Sequence, residues 1–577
     1  MTEITKSITF LNEYKQLKKA LEEGKTPVLA VGLAAIHKAN LAAALGADLK
    51  RPVLVLTDDD NAANRFAADL RGFSEREVVV LPSRELVMAD VAGVSRGYEQ
   101  ARLASLAALP GAAFAVASVQ AAAQRTMPPE LLRSSVVTLT AGESAPLDEL
   151  TRGLFSAGYE RCAQVEGAGQ FSVRGGILDI FPPQSANPYR VEFWDDEIDS
   201  ISTFDVGSQR RLEQCETLRC LPCMEALPSL AKGGAAGLAK AVAALASSRR
   251  KKQHADLQKN LERDAERLRE NGTLPAADKY LPLIYPQMAT AFDYLPENTL
   301  ILIEDTPRLR AAARDFHARI ADDVTALMER GEMPGGLDGY ALDFAGICGV
   351  KRQIVRLDSF LNNVSELAPQ HLENFVANQM NAYGGNLDMA SADIRSYTEQ
   401  GRAVAVVCGS TLRCKNMFDA LTDSGLKVQL SDLLPKGGCV NIMEGTISAG
   451  FEYPDLGLVV MTEGQVLARR KKAKVKRSNR DRVKSFTDLS PGDLVVHEHH
   501  GIGRFIGMER MTVDGSERDF IKIAFAGTDF LYVPATSLDL ISKYIGSGDT
   551  ERVRLNRLGG TDWTKAKARA KAAAKEL

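Results

Sequence analysis

The sequence predicts a multidomain α/β protein, and three observations predict it. Short apolar runs rich in β-branched residues alternate with Ala- and Leu-rich helical patterns through residues 1–125 and again through 350–465. That rhythm belongs to strand–helix–strand units around a parallel sheet. At 150–213 and 490–545 the spacing shortens to hairpins, so smaller sheets interrupt and follow the α/β units. A length of 577 residues corresponds to about three to six domains.

Composition narrows the class. Hydrophobic residues make up 45% and charged residues 25% of the chain, which is ordinary globular usage and excludes overall disorder. The net charge of −3 is segregated: 469–482 (RRKKAKVKRSNRDR) carries nine basic residues and one acidic, and 552–577 carries eight basic and two acidic. Such runs read either as solvated linkers or as nucleic-acid contacts. Eight cysteines are too few for a disulfide scaffold, and Cys215, Cys220 and Cys223 have no fourth ligand nearby to close a metal site. The N-terminus lacks the apolar core of a signal peptide and no run reaches the about 20 apolar residues of a membrane span. A cytoplasmic protein with no membrane partner is expected.

The first unit, 1–125, has strands at 27–31, 53–57, 78–82 and 113–119. Its first strand runs into VGLAAIHKAN, where a nucleotide-binding domain carries G-x-x-x-x-G-K-[ST]. Gly32 and Lys38 hold their places, but His37 replaces the second glycine and Ala39 the metal-binding hydroxyl. A ring at 37 obstructs backbone approach to a phosphate, and Ala39 cannot ligand Mg. This degenerate P-loop-like domain is expected neither to hydrolyse ATP nor to hold a cofactor, and no catalytic residue is assigned.

The next segment, 126–213, reads as a small α+β module. In YRVEFW, Val191 and Phe193 alternate with Arg190, Glu192 and Trp194, so strand geometry places the second set on an outward face. Arg174 likewise alternates with Phe171 and Val173, and the Gly175–Gly176 pair suits a tight hairpin. Exposed Trp beside Arg has the composition of a protein-binding anchor, unless a neighbouring helix covers the indole. Segment 214–345 is helical with a strand at 300–304. Periodicity leaves open whether it stands alone, and it is assigned as the second part of the first domain.

A second α/β unit, 346–466, is expected to be a spacer, with strands at 403–408, 427–430, 440–444 and 457–461 and a helix at 412–424. The basic run lies in a linker, 467–485. Residues 486–548 then read as a small SH3/Tudor-like β-barrel, with alternating apolar positions at Leu494/Val496, Phe505, Ile521/Ile523/Phe525 and Leu531/Val533, and a turn at Asp514–Gly515. Pro534 suits a strand end. His497, His499 and His500 do not have the spacing of a helical zinc motif and are expected to be structural or exposed. A basic C-terminal helix occupies 549–577 and keeps its apolar spacing, from Trp563 to Leu577, to the last residue.

These residues bring out a resemblance. GQFSVRGGILDIFPPQSANPYRVEFWDDEIDSISTFDVGSQR resembles the module shared by the excinuclease protein UvrB and the transcription-repair coupling factor (Mfd) family. DLVVHEHHGIGRFIGMERMTVDGSERDFIKIAFAGTDFLYVPATSLDLISKYIG resembles that family's polymerase-interacting domain, also found in CarD-type regulators, and LGGTDWTKAKARAKAAAKEL its helix leading into the translocase motor. UvrB itself fits less well. It needs an intact phosphate loop, it uses a Tyr-rich hairpin where the stretch 83–103 offers only Tyr98, and it lacks the polymerase-binding domain.

The resemblance implies the N-terminal half of a coupling factor that binds stalled RNA polymerase and recruits the excinuclease protein UvrA. It carries Arg174, Arg190 and Trp194 over as UvrA-binding residues. It also makes Arg510–Val513 the strand that pairs with the β subunit of RNA polymerase, with Met511 at the apolar contact position (core packing is the alternative). ATP, Mg and most double-stranded DNA contact would belong to the motor half, whose C-terminal domain masks the UvrA site in the family. A non-catalytic, stand-alone adaptor is the alternative reading.

Overall fold

The computed structural model describes residues 2–89, 96–247, 255–380, 382–384, 386–433, 438–467, 489–513, 516–527, 529–535, 540–544, 553–558 and 563. The basic run 469–482 and the Asp514–Gly515 turn lie outside them, as does the C-terminal segment 549–577 apart from Trp563 and residues 553–558, which are not helical.

A seven-stranded parallel sheet organises the first half. Its order is His371–Asn374, Val28–Val31, Ile354–Leu357, Leu300–Glu304, Val53–Thr57, Phe114–Ser118 and Val78–Leu81. The four early strands form where the sequence places them, and Leu300–Glu304 joins them. The remaining two, Ile354–Leu357 and His371–Asn374, come from beyond residue 345, so the expected break at 345/346 falls between strands of one sheet. Parallel strands pair only across long connections, and such distant pairing leaves no local sign in the chain. Alternate residues feed two cores, one on each face: Leu54, Leu56, Ala115 and Ile301 on one side, Val53, Val55, Phe114 and Leu300 on the other.

The second α/β sheet runs Asn378–Gln379, Phe451–Tyr453, Leu458–Thr462, Ala403–Cys408, Val440–Glu444 and Val428–Leu430, with its first two strands antiparallel to their neighbours. Helices Leu387–Glu399 and Thr411–Asp423 cover one face. The first domain's helices cover the other, where Ala405, Val407, Phe451 and Tyr453 share a core with Ile36, Leu41, Phe66 and Phe73. Helix Ala35–Asp48 is therefore packed between two sheets, with every residue from Ile36 to Gly46 buried. The unit read as a spacer is a cover for this helix.

The small module is a six-stranded sheet flanked by a strand pair, Val137–Thr140 with Thr217–Cys220. Its core reaches from Leu139 to Cys223, past the expected limit at 213. Near the C-terminus five antiparallel strands run in the order Phe530–Pro534, Ser516–Ala524, Gly501–Val513, Leu494–His497 and Ile541–Lys543. Among the described residues no pairing joins the two outer strands into a closed barrel. The inward positions Phe505, Ile521, Ile523, Phe525 and Val533 hold, and Leu531 packs against them. On the first strand Val495 and His497 are fully buried, whereas Val496 is only half-buried. The expected parity is reversed there because a histidine takes an inward place. No helix of the described residues is long and apolar enough to cross a membrane.

A closed loop and two candidate docking surfaces

Gly32, His37, Lys38 and Ala39 of the VGLAAIHKAN segment are all taken up by contacts inside the fold. Gly32 sits at φ +83°, and a Cβ there would lie 2.1 Å from the carbonyl oxygen of Phe375. The glycine thus serves a close passage of the chain after strand His371–Asn374. The His37 ring is buried 5.4 Å from the Phe451 ring and 5.3 Å from that of Tyr453, and burial pushes its pKa down to about 4. Ala39 is fully buried. Lys38 Nζ lies 3.8 Å from Glu304 Oε1, both largely buried, and burial raises the Glu304 carboxyl even though Lys38 pulls it down. The charge that would meet a phosphate already faces an internal carboxylate.

On the small module, Arg174 and Arg190 meet at a residue that the sequence reading missed, and Trp194 stands apart from them at the end of the Arg190 strand. Strand Gln170–Arg174 pairs with Ile177–Ile180, and that strand with Tyr189–Trp194, so Asp179 stands directly opposite Arg190. Asp179 is 1% exposed. It accepts from Arg190 Nε and Nη2 at 2.7 and 2.8 Å and from Arg174 Nη2 at 2.5 Å. The Asp179 hydrogen bond raises the Arg190 pKa. Arg190 also lies 4.7 Å over the Phe204 ring and donates to Gln209. One buried carboxylate thus holds both guanidinium groups, and Arg174 keeps half its side chain in solvent. Trp194 ends its strand at the Asp195–Asp196 turn and is 82% exposed, so no helix covers it. The signal for Asp179 was an acid within the apolar run ILDI, opposite a basic residue.

The second docking surface is a strand edge. Along strand Gly501–Val513, Leu494–His497 covers only Gly501–Arg504, while Ser516–Ala524 pairs along Arg504–Val513. Beyond Arg504, strand Gly501–Val513 has a neighbour on one side only among the described residues. Arg510 with Asp519, and Glu509 with Lys522, tie the two strands together across this ribbon. Met511 stands opposite Arg518 and is half-buried. Met508, rather than Met511, packs against the domain core.

Comparison with known proteins agrees with these units. Residues 137–225 match the UvrB interaction domain and residues 489–545 the CarD-like/TRCF RID domain. The transcription-repair-coupling factor of Bacillus subtilis (strain 168) is 31% identical over 587 residues, covering 99% of this chain and 49% of that protein. That of Staphylococcus aureus (strain USA300) is 26% identical, covering 100% of this chain and 50% of that protein. The chain spans about half the length of the curated relatives it matches. With both domain matches present and the alignment running end to end, the whole chain is similar to about half of a transcription-repair-coupling factor.

Proposed function

We propose that this chain is an adaptor that brings the excinuclease protein UvrA to RNA polymerase stalled on damaged DNA. The small module takes UvrA through Arg174, Arg190 and Trp194. The observation that carries this is the 82% exposed indole of Trp194 on the strand that also carries Arg190, whose guanidinium shares a buried acid with Arg174. A preorganised Trp–Arg patch is the usual anchor of a protein interface. The open edge at Arg510–Val513 takes a strand of the polymerase β subunit, its backbone groups giving affinity and Met511 an apolar contact.

ATP and Mg, and most contact with double-stranded DNA, belong to the motor portion of the family. Residues 1–345 hold no nucleotide, a reading supported by the buried His37 and Ala39 and by the Lys38–Glu304 pair. Micromolar Mg–ATP binding to the whole chain in a calorimeter would overturn that part.

The test of the adaptor role is an Arg190→Ala/Trp194→Ala double variant in a pull-down with UvrA. Loss of binding is expected, and wild-type capture would refute the assignment.

A further inference from the structure

The histidines of the HEHH turn play no part in either docking surface, yet all three converge on one residue of the small module. His499 Nε2 lies 3.0 Å from the Glu166 carbonyl oxygen, and His500 Nε2 lies 3.2 Å from Glu166 Oε1. His497 Nε2 lies 3.8 Å from Glu166 Oε2. Carbonyl and carboxylate oxygens only accept, so His499 and His500 donate through Nε2. His497 Nδ1 accepts the backbone N–H of His499 at 3.3 Å, which leaves the ring proton of a neutral His497 on Nε2, facing the carboxylate. Three imidazoles thus point N–H groups at Glu166 without needing to be charged.

The opposing loop is built to receive them. The backbone N–H groups of Glu166 and Gly167 both donate to the buried Gln170 Oε1, at 2.9 and 3.0 Å. A Cβ on Gly167 would lie 3.3 Å from a Leu540 methyl, so the loop presents bare backbone to the other domain. On its far side the turn is held by the C-terminal segment. Trp563 Nε1 donates to the Glu498 carbonyl oxygen at 3.0 Å, and Asn556 Oδ1 accepts from Ile502 N at 2.7 Å. Gly501, at φ +86°, has no room for a Cβ, which would lie 2.5 Å from Asn556 Oδ1.

The two apolar cores remain separate: that of the small module runs from Leu139 to Cys223, and that of the β domain includes neither Glu166 nor its loop. A contact of this kind, polar and with no shared core, is the sort that opens and closes. Trp194 stays exposed, so closure orients that surface without blocking it.

We propose that the His497–Gly501 turn is a reversible latch, closing on Glu166 to fix the polymerase-side domain against the excinuclease-side module and gripped from behind by Asn556 and Trp563. Its regulatory meaning rests on the docking roles proposed above, but the contact itself does not.

Hydrogen exchange on the full chain tests it, with one variant on each side. Glu166→Gln is read at 497–501 and 540, and His499→Ala/His500→Ala is read at 162–168. Each should speed far-side exchange roughly tenfold or more, the worth of one charge-assisted hydrogen bond, while amides at Ile521 and Val191 in the two cores keep wild-type rates. Unchanged far-side exchange in either variant overturns the latch. No partner is present in the assay, so its failure is distinct from failure of the docking roles, which only pull-downs read.

Discussion

Replacing His37 by phenylalanine should flatten the acid side of the stability profile. In the folded chain burial holds the ring pKa at about 4, against an ordinary value of 6.5. A base with a depressed folded pKa is protonated more readily when unfolded. Its contribution is therefore fully present above pH 6.5 and is lost as pH falls toward 4. The full loss amounts to about 3 kcal/mol, and roughly 2 kcal/mol of it has gone by pH 5. Phenylalanine keeps a ring against Phe451 and Tyr453 and cannot titrate, so at pH 7.5 it should change stability by less than about 1.5 kcal/mol. The assay is urea denaturation of wild type and variant at pH 7.5 and pH 5. Wild type should lose about 2 kcal/mol more than the variant on acidification. Equal losses would show that the ring is not held neutral between the two sheets, and the packing explanation of the closed loop would fail with it.

Further outcomes follow from the same geometry. Trp194→Ala should leave thermal stability within about 0.5 kcal/mol, since the side chain is exposed, yet cost on the order of 2 kcal/mol in UvrA affinity by calorimetry. Asp179→Ala should weaken that affinity too, and also lower the melting temperature, because two arginines lose their shared acceptor. Met511→Arg should abolish polymerase pull-down while leaving the β-domain's exchange protection intact, because Met511 is not part of its core; unchanged pull-down would refute the edge assignment. Gly32→Ala should destabilise the first domain by several kcal/mol in urea denaturation, with backbone oxygen 2.1 Å from the new carbon at a left-handed φ. Wild-type stability there would contradict the close passage.

Most strands and the outward Trp194 were legible because two-residue alternation is a local property, whereas Arg190 on the same face is drawn down onto Asp179 and keeps only 15% of its side chain in solvent. What closed the first sheet was not, since strands Ile354–Leu357 and His371–Asn374 pair with residues more than 300 positions earlier. One signal was present and unused. The run AIHKANLAAALGA is apolar almost all round, the mark of a helix buried on every side, and it accounts for His37 and Ala39 as packing residues. Asp179 was visible only as an acid in an apolar strand. Glu166 lies in a loop whose sequence gives no hint of a partner more than 300 residues away. The inward place of His497 followed from that same contact, which is why alternation chose the wrong parity at Leu494–His497.

If one chain joins two machines through separate surfaces, each surface should fail alone. Size-exclusion chromatography of the chain with RNA polymerase and UvrA, singly and together, reads this out. The expected result is a three-component complex from which Trp194→Ala removes only UvrA and Met511→Arg only polymerase. If each variant lost both partners, or neither, the two-surface reading would be contradicted.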